Sequence, residues 1–250
     1  MDDCANDGDM NLDTAVSALN NAYSLENWTL LIRRSDQLYN DAYQSFIHNK
    51  QAQKPMIYYI GYSLLMKGIG YQKDKQYGES LKCIEQYKDL GRFLDGSERS
   101  QRILDQYAFY AYANSLSVHL LSGNLTKLEE YAQFLNQHPS ETLSGLLTLL
   151  ECALSQDLNV DEYIAPLTER FDAYQHDDMR PEEQTIYLSI LMMLSRYCRN
   201  RKRFEEAQKY TQQFLSLSFD RSPGRQASTS AAPHDIGNDP YNHRKMANGS

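Results

Sequence analysis

The sequence predicts an all-α protein, a solenoid of about five antiparallel helix pairs. Three observations carry that expectation. Apolar residues recur at i, i+3, i+4 and i+7 along residues 11–219, the spacing of a helix face. Residues 61–94, GYSLLMKGIGYQKDKQYGESLKCIEQYKDLGRFL, read as two amphipathic helices folded back on each other, with small residues Gly68 and Ser80 where the helices approach. The remaining pairs look like looser copies of this one, spaced about 40 to 49 residues apart.

Residues 1–10 are acidic and Gly/Asn-containing, and read as a disordered leader. Leu12, Ala15, Val16, Leu19 and Tyr23 then mark a helix face, with Asn11 or Asp13 as its cap. A break at residues 24–27 precedes a longer helix carrying Trp28, Leu31, Ile32, Leu38, Ala42 and Phe46, which completes the first hairpin. Pro55 stands where proline is tolerated at a helix start. The second hairpin turns at residues 73–76, and Gly91 and Gly96 bracket its end as stop signals. Ser97 opens a long helix running to Gly123, and residues 125–136 are its partner. His138-Pro139 closes the third pair.

Ser140-Glu141 opens SGLLTLLECALS, and residues 157–159 turn into DEYIAPLTERFDAY, where Pro166 is expected to kink the helix or delay its start. A polar link over residues 176–180 leads to Pro181 at another helix start. TIYLSILMMLSRYC and FEEAQKYTQQFLSLS form the fifth pair. Residues 220–250 are rich in Ser, Ala, Asn, Pro and Gly and offer too little apolar surface to offset the entropy of ordering, so a flexible tail is expected.

Composition narrows the function classes. The chain has 250 residues, 41% of them hydrophobic, which is enough to bury a sizeable core. A net charge of -8 argues against a nucleic-acid binder or a binder of anionic membranes. Four cysteines lack CxxC spacing, and Cys83, Cys152 and Cys198 fall inside helical patterns as buried free thiols, consistent with a reducing compartment. With no signal peptide and no apolar run long enough for a membrane span, a cytoplasmic location is expected. Nineteen tyrosines against one tryptophan suit half-buried helix interfaces, and equally a ligand groove.

Signals for chemistry are few. No His/Cys pair has helical ligand spacing, so no metal and no cofactor is expected. The glycines of KGIGYQ lack a following GK[ST], so no phosphate loop is expected either. No acid/base pair or nucleophile constellation stands out, and the chain is not expected to be an enzyme. Arg196, Arg199, Arg201, Lys202 and Arg203 are the densest positive region. They read either as a solvated turn complementing a helix dipole, with Asp177 and Asp178 as nearby partners, or as a site for an acidic partner or phosphate.

With Gly61 as position 1, residues Leu64, Gly68, Tyr71, Tyr77, Ser80 and Ile84 fall where a tetratricopeptide repeat places its large, small and aromatic residues. In such a repeat, positions 2, 5, 9 and 12 of each leading helix face a shared concave groove. Here those positions are Tyr62, Leu65, Ile69 and Gln72; then Tyr110, Ala113, Ser117 and Leu120, with Asn114 alongside; then Ser189, Met192, Arg196 and Arg199. Tyrosines, an amide and arginines together suit an extended peptide or a partner protein segment. Packing between helices is the competing reading for each tyrosine, and Asn114 in an apolar helix needs either a neighbouring partner or a ligand.

The segments IYYIGYSLLMKGIGYQK, YAYANSLSVHLLSGN and RNRKRFEEAQKY resemble the tetratricopeptide-like C-terminal region of helix-turn-helix transcriptional regulators from Gram-positive bacteria, including peptide-pheromone receptors. The resemblance spans residues 12–219. It implies a right-handed superhelix, frequent homodimerisation, a role in quorum sensing, and a groove where asparagine amides hold a peptide backbone, with Asn114 the matching position. Relatives with similar repeats can also stimulate dephosphorylation of response regulators. Only the leader stands before Leu12, so no direct nucleic-acid binding by this chain is expected. A constitutive protein-protein scaffold without a small ligand is the alternative reading.

Overall fold

The computed structural model describes residues 11–174, 179 and 181–219. The expected leader, the tail, most of the 176–180 link and the proposed partners Asp177 and Asp178 lie outside those residues. Among the described residues the protein is all-α, with ten α-helices in packed pairs. The repeat region expected over 11–219 is organised as two compact units, which part between Ala111 and Tyr112.

The first unit holds α1 (Leu12–Ser24), α2 (Trp28–Ile47), α3 (Met56–Lys73), α4 (Tyr77–Lys88) and the start of α5 (Glu98–Leu121). Asn11 caps α1 by accepting the Asp13 N–H at 3.0 Å, and Asn27 caps α2 by accepting the Leu30 N–H at 3.0 Å. α1 buries Leu12, Ala15, Val16, Leu19 and Ala22, while α2 buries Leu31, Ser35, Leu38 and Ala42. Each set is one stripe at helical spacing.

α3 is different, because twelve of its 18 residues are buried and it has no solvent face over most of its length. It packs against α1, α2 and α4. Glycines make that possible. A Cβ on Gly68 would stand 3.3 Å from Cys83 Cβ of α4, and one on Gly70 would stand 2.8 Å from Ile32 Cγ1 of α2. Ser80 Oγ donates to Gly68 O at 2.8 Å, so the expected small pair at the α3–α4 crossing is a direct contact. Tyrosine hydroxyls then knit the neighbours together. Tyr59 donates to Asp13 Oδ1 at 2.9 Å, Tyr62 donates to Asn20 Oδ1, and Tyr107 of α5 donates to Tyr58 O at 2.9 Å. The tyrosine surplus therefore supplies ring area to the core and a hydroxyl that finds a partner there.

The second unit holds the rest of α5, then α6 (Leu128–Gln137), α7 (Thr142–Gln156), α8 (Asp161–Asp172), α9 (Pro181–Asn200) and α10 (Phe204–Phe219). α7 packs on α8 and α9, and α9 packs on α10. Gly145 of α7 admits Leu135 of α6, whose Cδ1 would lie 2.6 Å from a Cβ. Arg170 of α8 reaches the end of α6, donating to Leu135 O at 3.2 Å and Asn136 Oδ1 at 3.0 Å. α8 begins at Asp161 and runs through Pro166, so the proline does not delay its start.

One turn recurs after every leading helix. Glu26, Lys75, Gly123, Asp157 and Lys202 all have a left-handed backbone, with φ of 50, 61, 94, 51 and 61°. In each turn the next residue donates its N–H to a carbonyl five residues back: Asn27 to Ala22, Gln76 to Tyr71, Asn124 to His119, Leu158 to Ala153 and Arg203 to Cys198. This is the Schellman closure of a helix end. It recurs where the sequence varies, so the repeat is plainer in the backbone than in the residues.

Candidate functional site

Of the residues expected to line a groove, those on α3 divide by burial. Tyr62 is 1% exposed and Leu65 is 4% exposed. Both are core residues rather than open groove lining, and Tyr62 is enclosed because α1 packs on α3 and its Asn20 accepts the hydroxyl. Tyr62 also stacks on Tyr58, with ring centroids 5.7 Å apart. Ile69 and Gln72 are half-buried. Tyr110, also in the first unit, is half-buried and accepts from Gln106 Nε2 at 3.0 Å.

In the second unit the α5 row also turns inward. Ala113 and Leu120 are buried, and Ser117 Oγ donates to Tyr131 Oη of α6 at 3.1 Å. Asn114 is half-buried and holds an interaction within the protein. These residues tie α5 to its neighbours.

The α9 row is the one that stays open. Met192 is 56% exposed, Arg196 and Arg199 are exposed, and Ser189 is half-buried. At about 100° per residue, these four lie within about 80° of arc. Tyr187, Ile190, Leu191, Leu194, Tyr197 and Cys198 form the buried side opposite. The open row is about 15 Å long, the reach of about five extended residues. Neither Arg196 nor Arg199 has an ion-pair partner among the described residues.

The basic cluster thus separates by role. Arg203 lies at the α9–α10 turn with Nη1 2.5 Å from Asp161 Oδ1 and Nη2 2.5 Å from Glu206 Oε2. Tyr197 Oη, beside it, accepts the Val160 N–H at 2.9 Å and lies 3.1 Å from the same Asp161 oxygen. Burial raises the Tyr197 pKa, with the Asp161 carboxylate adding to it, so the phenol stays protonated and able to donate. Arg201 sits over the Tyr197 ring, 5.6 Å from its centroid, and 3.6 Å from Asp157. Asp157, Asp161 and Glu206 are the acidic partners of this turn. Arg196 and Arg199 are left as unneutralised cations on an open face.

Sequence reasoning placed Arg196 and Arg199 in the row but did not separate them from Arg201 and Arg203. The available signal was position. Arg201 and Arg203 follow the end of the α9 periodicity, whereas Arg196 and Arg199 continue its polar side.

Among the described residues, no group of three or more His, Cys, Asp or Glu is placed to hold a metal ion. None of their helices is long and apolar enough to cross a membrane. Burial raises the pKa of all three described thiols, that of Cys83 to about 11, which makes them poor nucleophiles. No protein-family model matches the chain, and no curated protein or solved structure matches it at a significant level.

Proposed function

We propose that this chain is a non-catalytic helical-repeat binding module, and that it takes a short acidic peptide, free or as a segment of a partner protein, along the open face of α9. The observation that carries this reading is the row Ser189, Met192, Arg196 and Arg199, with two unpaired guanidiniums one turn apart on a chain of net charge -8. A planar guanidinium matches a carboxylate bidentately, and an exposed methionine adds an adaptable apolar contact beside it.

A tetratricopeptide-like superhelix supports the same reading. Its support is the recurring left-handed turn and the packing of leading helices on each other, α1 on α3 and α7 on α9. The resemblance to peptide-responsive regulators points to a sensor role, with the peptide shifting the relative population of two helix arrangements. Dimerisation and a cytoplasmic location belong to that reading.

Fluorescence anisotropy with pooled, labelled acidic peptides of about ten residues tests it. Binding that weakens as salt rises, and is lost in Arg196→Glu/Arg199→Glu with unchanged helicity, is the expected result. Equal binding by the charge-reversed variant, or none by the unaltered chain, rejects the α9 face. A stable partner with no peptide response would favour the constitutive scaffold.

A further inference from the structure

A cleft of about 290 Å³ opens between α2, α3 and α4 in the first unit. α2 lines it with Ser35, Asp36, Tyr39 and Asn40, α3 with Lys67, and α4 with Gln86. Ser35 occupies the buried stripe of α2 between Leu31 and Leu38 and is only 1% exposed. Its hydroxyl has no hydrogen-bond partner among the described residues. A buried hydroxyl in that state is costly, and Ser35 is among the residues that line the cleft, with its hydroxyl closed off from solvent behind the cleft wall. The side-chain amides of Asn40 and Gln86, both exposed at the cleft rim, bond to no other described residue and are open to solvent.

Lys67 Nζ lies 2.7 Å from Asp36 Oδ1, and the two side chains remain 25% and 52% exposed. Burial by itself would lower the Lys67 pKa, but the hydrogen bond and charge of Asp36 outweigh it, and the net shift is upward. The ammonium therefore stays charged. It has three N–H donors and spends one on Asp36, while Asp36 keeps its second oxygen free to accept. The cleft accordingly offers one cation and one anion side by side, two amides and a buried hydroxyl. A phosphate would meet Asp36 and a polyamine would meet Lys67, so each is opposed by one half of the pair. A ligand that carries both charges close together satisfies both halves.

We propose that this cleft binds a free α-amino acid as its zwitterion. Its carboxylate takes a Lys67 N–H, its ammonium donates to the free Asp36 oxygen, and the Ser35 hydroxyl and the Asn40 and Gln86 amides meet its remaining polar atoms. The Lys67–Asp36 pair is extended rather than broken. This site is independent of the α9 face and stands whether or not that face binds a peptide.

The test is calorimetry and thermal shift on the full chain with each common L-α-amino acid. Its α-amide, which lacks the carboxylate, and its N-acetyl derivative, which lacks the ammonium, are measured alongside. At least one amino acid should bind and raise Tm, and both of its blocked derivatives should bind about tenfold more weakly or worse. Ser35→Ala, which removes a buried unpartnered hydroxyl, should raise the unliganded Tm and weaken binding several-fold. Lys67→Met should weaken it about tenfold, and if that variant fails to fold, the blocked derivatives on the unaltered chain decide. The proposal is overturned if no amino acid binds at about 10 mM, if a blocked derivative binds as tightly as its parent, or if Ser35→Ala leaves the affinity unchanged.

Discussion

Gly61 of α3 faces the ring of Tyr107 so closely that a Cβ on the glycine would stand 2.5 Å from Tyr107 Cζ. The ring has nowhere to go, because Tyr107 is fully buried and its hydroxyl is fixed to Tyr58 O at 2.9 Å. Gly61→Ala should therefore cost about 2–3 kcal/mol through overpacking. Gly78, in α4 with nothing within 4 Å of its Cβ position, is the control: Gly78→Ala should gain about 0.5 kcal/mol. Urea denaturation of both variants checks the pair, and a Gly61→Ala protein as stable as the parent would contradict this packing.

Why was so much of this helix legible in the sequence, and its surroundings not? Gly68 and Ser80 are twelve residues apart in one hairpin, so their meeting follows from the period and the turn alone. Gly61 and Tyr107 are 46 positions apart, and the partner of Tyr62 is Asn20, 42 residues away. Periodicity reports which face of a helix is apolar, not how many neighbours will cover it. Positions 2 and 5 of α3 match a groove in the repeat pattern, yet α1 packs on the side where Tyr62 lies. On α9 the same pattern holds, and Arg196 and Arg199 remain exposed, since arginine is rarely buried without a partner. Ser35 also left a trace, a serine inside the stripe of Leu31, Leu38 and Ala42, where an alanine would pack without a polar atom to satisfy.

The recurring turn yields a prediction about stability that does not involve the core. Lys75 and Lys202 each hold φ at 61°, a region where a Cβ costs about 1–2 kcal/mol, and both are exposed. Glycine removes that cost and adds some unfolded-state entropy, so Lys75→Gly and Lys202→Gly should each stabilise by about 0.5–1 kcal/mol. Gly123→Ala, at φ 94°, should lose a comparable amount. Melting temperatures of the three variants give the signs. The sequence carries little sign of these left-handed turns, because four of the five use Glu, Lys or Asp where glycine is the usual marker.

Acid should loosen the start of α5. Asp95 Oδ1 accepts the Ser97 N–H at 2.9 Å and the Ser97 hydroxyl at 2.6 Å, and Ser97 Oγ in turn accepts the Ser100 N–H at 3.1 Å. Hydrogen bonding from Ser100 and Ser97 holds the Asp95 carboxyl at about 2, below the usual carboxylate range. A depressed carboxyl contributes stability that is fully present above its unfolded pKa and is lost as pH falls through its folded value. The stability gap between the parent and Asp95→Asn should thus be widest above about pH 4 and close as the pH drops towards about 2. Denaturation midpoints measured from pH 6 downward check it. A gap that stays constant would show that the carboxylate charge contributes nothing to the cap.

The thiols should report on the cores of both units. Cys83, Cys152 and Cys198 are free and buried at 4%, 0% and 1% exposure. Burial is the leading cause of the raised pKa of each, and for Cys83 it outweighs the nearby Lys67 charge, which pulls the other way. Thiolate is the reactive form, so both the low thiolate fraction and the lack of access should suppress labelling. In a Cys4→Ser background, a colourless disulfide reagent should modify none of the three at pH 8 within the folded lifetime and all of them in denaturant. Rapid modification of Cys83 alone would place an opening in the first unit at the α3–α4 crossing, where Cys83 packs against Gly68. Modification of Cys152 or Cys198 would place it instead at α7 or α9. The order in which the thiols become reactive as denaturant rises then tells whether the two units open together or one before the other.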